Sequence, residues 1–167
     1  LSAQDINGQT WTVQTIQPGG AKFFVTGSKK ESNFYVVDSE YSGLAALDAV
    51  TAIVIAEGYA TADTLSQALS CPVVAAFDSG NLLKVAQALQ KKYPQKPIVI
   101  AGDDDLTQES INGKNPGKEK AMEAAQLVNG AVVLPIFAPG EQMSQQLSDF
   151  NDLANKSVLG IEAVKRQ

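Results

Sequence analysis

The chain has 167 residues, the length of one domain, and its 44% hydrophobic and 19% charged content suits a folded globular protein and excludes disorder. One cysteine, Cys71, and no histidine exclude disulfide frameworks, zinc fingers, Cys/His nucleophile pairs and any mechanism with a histidine base. Thirteen Lys and Arg against eighteen Asp and Glu give a formal charge of −5, so a strongly basic nucleic-acid footprint is absent.

Three short alternating runs come first: Trp11 to Ile16, Ala21 to Val25 and Asn33 to Val37. Pro18-Gly19-Gly20 parts the first two, and Gly27 with Ser28 and two lysines parts the next. Alternation broken by glycine and proline predicts a small antiparallel β segment over 1–40. From about residue 41 the period switches. Ala52 to Ala56, Val73 to Phe77, Ile98 to Ala101 and Ala131 to Ile136 are continuous apolar runs. Helical stretches at about 59–70, 80–93 and 117–129 lie between them. Apolar strands alternating with helices predict an α/β core over 41–140, an open parallel sheet of about four strands flanked by helices. The polar tail over 141–167 is expected to be helical and to complete the domain.

In open α/β sheets ligands bind at the carboxyl ends of strands. Two of these strands end in acid, one in Glu57-Gly58 and the other in Gly102-Asp103-Asp104-Asp105. Three adjacent carboxylates repel one another and cost solvation if buried, and a cation relieves both. In an extended segment Asp103 and Asp105 share one side and Asp104 faces away. Without histidine the ligands are oxygens, which favours Mg2+ or Mn2+ over zinc. A solvated acidic loop is the plainer alternative. Asn115-Pro116-Gly117-Lys118 opens a helix whose amides could face a phosphate, although it lacks phosphate-loop spacing. Asp149 reads equally well as an N-cap. Trp11 and Phe23-Phe24 read as sheet packing before base stacking. Lys84, Lys91, Lys92 and Lys96 read as solvated helix ends before a nucleic-acid face.

Glu57-Gly58-Tyr59-Ala60-Thr61-Ala62 after one strand and Asp103-Asp104-Asp105 after another resemble the Toprim domain of bacterial-type primases, type IA and II topoisomerases and some nucleases. Further segments resemble the primases of conjugative plasmids and phages. These are Phe77-Asp78-Ser79-Gly80-Asn81-Leu82, Asn115-Pro116-Gly117-Lys118 with Lys120-Ala121, Pro135-Ile136-Phe137 and Asp149-Phe150-Asn151-Asp152-Leu153. Gly8, Gln14 to Pro18 and Lys22-Phe23-Phe24 resemble the small β segment that precedes that core. The resemblance implies a metal site of Glu57, Asp103 and Asp105, with Asp149 or Asp152 as a further acid beside it. Asn81 and Lys118 become candidates for nucleotide or template contacts. Thr61 stands where related primases often carry another acid, and Leu106 to Lys114 widens the gap before Asn115.

The function so implied is metal-dependent nucleotidyl transfer, the synthesis of RNA primers on single-stranded DNA from ribonucleoside triphosphates. Alternatives are a Toprim nuclease, or a non-catalytic nucleic-acid-binding or accessory module of a conjugative relaxase. A topoisomerase needs a tyrosine nucleophile, and Tyr35, Tyr41, Tyr59 and Tyr93 carry no signal for that role. The opening at Leu1 suggests a domain of a longer plasmid or phage protein. No stretch approaches the ~20 apolar residues of a membrane span, no signal peptide is read, and a reducing cytoplasmic setting is expected.

Overall fold

The computed structural model describes residues 1–38 and 43–167. The expected boundary at residue 40 and Tyr41 lie outside the described residues. Short strands β1 (Ser2–Gln4), β2 (Thr10–Ile16) and β3 (Lys22–Phe24) form an antiparallel sheet in that order. The main sheet holds β4 (Tyr35–Val37), β5 (Ile53–Ala56), β6 (Val73–Ala75), β7 (Ile98–Ala101) and β8 (Ala131–Val133). Its order is β4-β6-β5-β7-β8, with β4 antiparallel at one edge and the other four parallel.

Residues 33–37 are therefore corrected: Tyr35–Val37 leaves the meander and pairs with Val73–Ala75. Burial of Val36 and Val37 against the core decides its place, and three residues of alternation cannot announce which sheet they join. An isolated bridge from Gln4 to Phe34 ties the two sheets together.

Ile, Val and Ala runs suit strands covered on both faces. On one face α2 (Ser79–Lys92) and α4 (Pro116–Leu127) bury Leu82, Val85, Leu89, Ala121 and Ala124 against Ile53, Ile55, Val74, Ile98 and Ile100. On the other, α1 (Tyr59–Leu69), α6 (Phe150–Asn155) and α7 (Gly160–Arg166) bury Ala62, Leu65, Phe150, Leu153 and Val164 against Val73 and Ala75. Two short helices, α3 (Leu106–Asn112) and α5 (Glu141–Gln145), cover the carboxyl end. Nothing in α3 is buried, so no apolar stripe marks it in the sequence.

From β5 the chain crosses to β6 on one side, and from β7 it crosses to β8 on the other. The connections diverge between β5 and β7, which opens a crevice at their carboxyl ends. Glu57 and Asp103 stand at that point. Gly102 permits it, since a Cβ there would lie 2.6 Å from Ala121 Cβ, so α4 crowds the end of β7. No helix among the described residues is long and apolar enough to cross a membrane.

Candidate active site

Glu57, Ser79, Asp103, Asp105, Asn115, Pro116, Gly117 and Ser148 line a cleft of about 210 Å³ at the carboxyl ends of β5 and β7. The strand ends thus bring Glu57, Asp103 and Asp105 together. Their surroundings differ. Asp103 Oδ1 is enclosed and meets no hydrogen-bond donor. Burial first, then the charges of Glu57, Asp149 and Asp152, push its carboxyl up to about 8, against the pull of Lys22. Asp105 caps α3 through a bond from the Gln108 N–H at 2.8 Å.

Glu57 is also pushed above the usual carboxylate range, by burial first and then by Asp78 and Asp149. The Ser79 backbone N–H, at the start of α2, and Lys22 act the other way. An amide at a helix N-terminus favours the charged carboxylate, but here it does not outweigh desolvation.

The tail supplies the remaining acids. Asp149 caps α6 by accepting the Asp152 N–H at 2.7 Å, and its other oxygen accepts the Thr61 hydroxyl at 3.1 Å. Burial leads in raising its carboxyl. Asp152 accepts the Ser148 N–H at 3.0 Å and pairs with Lys156 at 2.7 Å. Both acids close the start of a helix, and both still repel a proton-free Asp103. Thr61, in the turn after Glu57, brings a hydroxyl donor to Asp149 rather than a further charge.

The sequence expectations for Asn81 and Lys118 meet side chains that are already engaged. Asn81 is buried; its oxygen accepts the Ser32 N–H, and its amide nitrogen donates to the carbonyls of Asn33 and Ala76. It ties the N-terminal segment to α2. The Lys118 ammonium lies 3.5 Å from Asp104, and its side chain borders an apolar groove along α4 and β8 instead of the acidic cleft. Lys84 pairs with Glu31, and Lys96 donates to the carbonyls of Leu47, Asp48 and Val50.

Sequence reasoning assigned no role to Lys22. It sits on β3, paired with Ile16, and its ammonium hangs over the turn after β5: a Cβ on Gly58 would stand 3.7 Å from Nζ. Its only signal in the sequence was membership of the small β segment. Phe24, two residues on, packs edge-to-face on Phe77 with ring centres 5.2 Å apart, which fixes that segment to the core. Phe23 and Trp11 are instead exposed.

Among the described residues no group of three or more Asp, Glu or Cys stands ready to hold a metal ion. The donor set still fits magnesium, which keeps several waters and binds through one or two carboxylates plus substrate phosphates. An enclosed carboxylate oxygen without a donor, beside a second acid on an open cleft, is the arrangement a hydrated divalent cation relieves.

A family model described as Toprim domain matches residues 52–158. Two DNA primases TraC of Escherichia coli are similar in sequence. One is 53% identical over 141 residues, covering 84% of this chain and 13% of that protein. The other is 40% identical over 223 aligned positions, covering all of this chain and 15% of that protein. The chain thus spans about one seventh of the length of these relatives. A chain of the bacteriophage T7 complex of lagging-strand DNA polymerase with the primase domains of two gp4 subunits, an RNA/DNA hybrid and dTTP shares the fold. The TM-score is 0.53 at 17% identity, over 87% of this chain and 69% of that one.

Proposed function

This chain belongs to the Toprim domain family, and on that premise we propose that it is the catalytic domain of a DNA primase within a longer plasmid-type protein. It joins ribonucleoside triphosphates on single-stranded DNA in a reducing, cytoplasmic setting. The observation that carries the reading is Asp103 Oδ1, enclosed and without a donor, on a carboxylate set beside Glu57 where β5 and β7 part.

Glu57 and Asp103 would hold Mg2+ or Mn2+, with Asp105 at the rim of the cleft and Asp149 behind. A divalent ion supplies charge neutralisation at the transferred phosphate and lowers the pKa of the attacking hydroxyl. Glu57, raised by burial, suits the taking of a proton from the primer 3′ hydroxyl at its carboxylate. The Lys22 ammonium, near Gly58 and close enough to act on Glu57 and Asp103, suits binding and orienting the triphosphate of the incoming nucleotide. The engagement of Asn81 and Lys118 with the fold itself supports structural roles for both.

The test is ribonucleotide incorporation on single-stranded DNA by the full-length protein, with Mg2+ or Mn2+, for wild type and Glu57→Gln. Primers should appear only with the wild type and metal. Metal-dependent degradation of the template without primers would point to a nuclease instead. Normal priming by Glu57→Gln would remove Glu57 from the chemistry.

A further inference from the structure

We propose that Asn115 is the positioning residue of the acidic cleft: its side chain sorts the three consecutive aspartates, fastening Asp104 and the Asp105 backbone so that Asp103 is left facing Glu57. The inference rests on the catalytic reading above.

Asn115 is buried, with 3% of its surface exposed, and every polar atom of its side chain is engaged. Its amide nitrogen donates to Asp104 Oδ1 at 2.7 Å and to Glu109 Oε2 at 2.9 Å. Its oxygen accepts the Asp105 N–H at 3.3 Å and the Lys118 N–H at 3.4 Å. The tail holds the same loop from the other side: the Asp104 N–H donates to the Ser148 carbonyl at 2.7 Å, and Gln142 donates to the Asp104 carbonyl at 2.6 Å. Gly117 lets α4 press close, since a Cβ there would lie 3.0 Å from Asp103 Cβ.

Capping α4 does not require asparagine, because serine and aspartate cap comparably well. Sorting the aspartates does. Serine has one proton and a shorter reach. Aspartate has none to give, and adds a charge facing Asp104 and Glu109. Only a neutral group with two N–H bonds and one acceptor serves both carboxylates and the Asp105 amide.

The experiment is Mn2+ titration of the full-length protein, followed by the spin signal of the free ion, together with hydrogen exchange of the peptide carrying residues 103–105. Asn115→Ser should bind Mn2+ on the order of 10–100-fold more weakly, the usual effect of losing a group that orients a ligand, while the α4 cap is kept. Asn115→Asp should be weaker still. Asp104→Asn added to it should restore part of the binding, because the 104–115 pair regains a donor while Glu109 still faces a carboxylate. Affinity at the wild-type level in both single variants, with unchanged exchange, would leave Asn115 a helix cap and overturn the proposal. Should the double variant bind no better than Asn115→Asp, the proposal fails as well, even where the single variants fold poorly. If Asp103→Ala leaves the Mn2+ titration unchanged, the metal reading fails and exchange alone decides: faster exchange at 103–105 in Asn115→Ser supports the sorting role, and unchanged exchange removes it.

Discussion

The protein sets acids in two neighbouring regions, the strand ends and the tail, and treats them in opposite ways. Asp149, partly buried, and Asp152, buried, sit in the tail beside donors that the fold itself provides: the Asp152 N–H of α6, the Ser148 N–H before it, the Thr61 hydroxyl and the Lys156 ammonium. At the strand ends, Glu57 has one backbone N–H from α2, and Asp103 Oδ1 has none. Burying a carboxylate without partners costs free energy that partnered carboxylates recover. A fold selected for stability alone would resolve Asp103 as it resolved Asp152. On the proposed reading, the strand ends are the place that takes the ligand and the tail is the frame that holds it.

The largest effect that separates the two regions is on chemistry. Glu57→Gln and Asp103→Asn should each lower primer synthesis by roughly two to four orders of magnitude, the scale of losing a positioned acid–base or charge-bearing group. Unfolding in chelator should show both variants as stable as wild type or more so, because like charges are relieved. A variant that unfolds more easily in chelator yet primes normally would place that residue in the frame.

The next effect is on the pH dependence of stability. Asp103 is raised from an ordinary 3.8 to about 8 in the folded chain, so the folded state holds its proton more tightly than the unfolded one. That contribution is fully present below pH ~4 and is lost as pH rises through ~8. In chelator, wild type should lose stability across this window, and Asp103→Asn should flatten the loss. Millimolar Mg2+ should raise the wild-type melting temperature at pH 8 by mass action, and Asp103→Asn should abolish the rise. An equal rise in the variant would put the ion elsewhere.

The same contrast explains what the sequence discloses. Ile53–Ala56 and Ile98–Ala101 are apolar on both faces and are followed by acid, so both the sheet and its acidic end can be read from the pattern. The small sheet defeats that reading. On β2, Thr12 and Gln14 face inward while Trp11 and Val13 are exposed, the reverse of ordinary alternation. Position along the chain also hides Lys22, which reaches Gly58 from 36 residues away, and Asn115, whose four side-chain bonds span residues 104 to 118. Spacing speaks for residues on one element. It is silent on contacts made between elements, which is where Lys22, Thr61 and Asn115 act.

A smaller effect tests the tail as frame. Asp149→Ala should cost about 1 kcal/mol through loss of the α6 cap, whereas Asp149→Ser should restore most of it, as read by urea unfolding in chelator. If Asp149 also holds the ion, Asp149→Ser would weaken the Mg2+-dependent rise in melting temperature while leaving stability in chelator intact. The two readouts therefore separate capping from ligation at one residue.

The smallest effect concerns Lys118, on α4 beside Asp104. Its ammonium reaches Asp104 at 3.5 Å with a third of its side chain exposed. Pairs this open contribute about 0.2–1 kcal/mol. Asp104 also keeps its bond from Asn115, so removing the lysine charge leaves that carboxylate partnered. Lys118→Met keeps the stem that borders the apolar groove and deletes only the charge, and should move stability by less than about 1 kcal/mol. Because Lys118 does not line the cleft, the KM for ribonucleotides should stay within about two-fold, far from the ten-fold that 1.4 kcal/mol of lost binding produces. Steady-state priming kinetics decide it. A ten-fold rise in KM at unchanged kcat would mean that Lys118 leaves Asp104 for the nucleotide, and would join α4 to the strand ends as part of the reacting site.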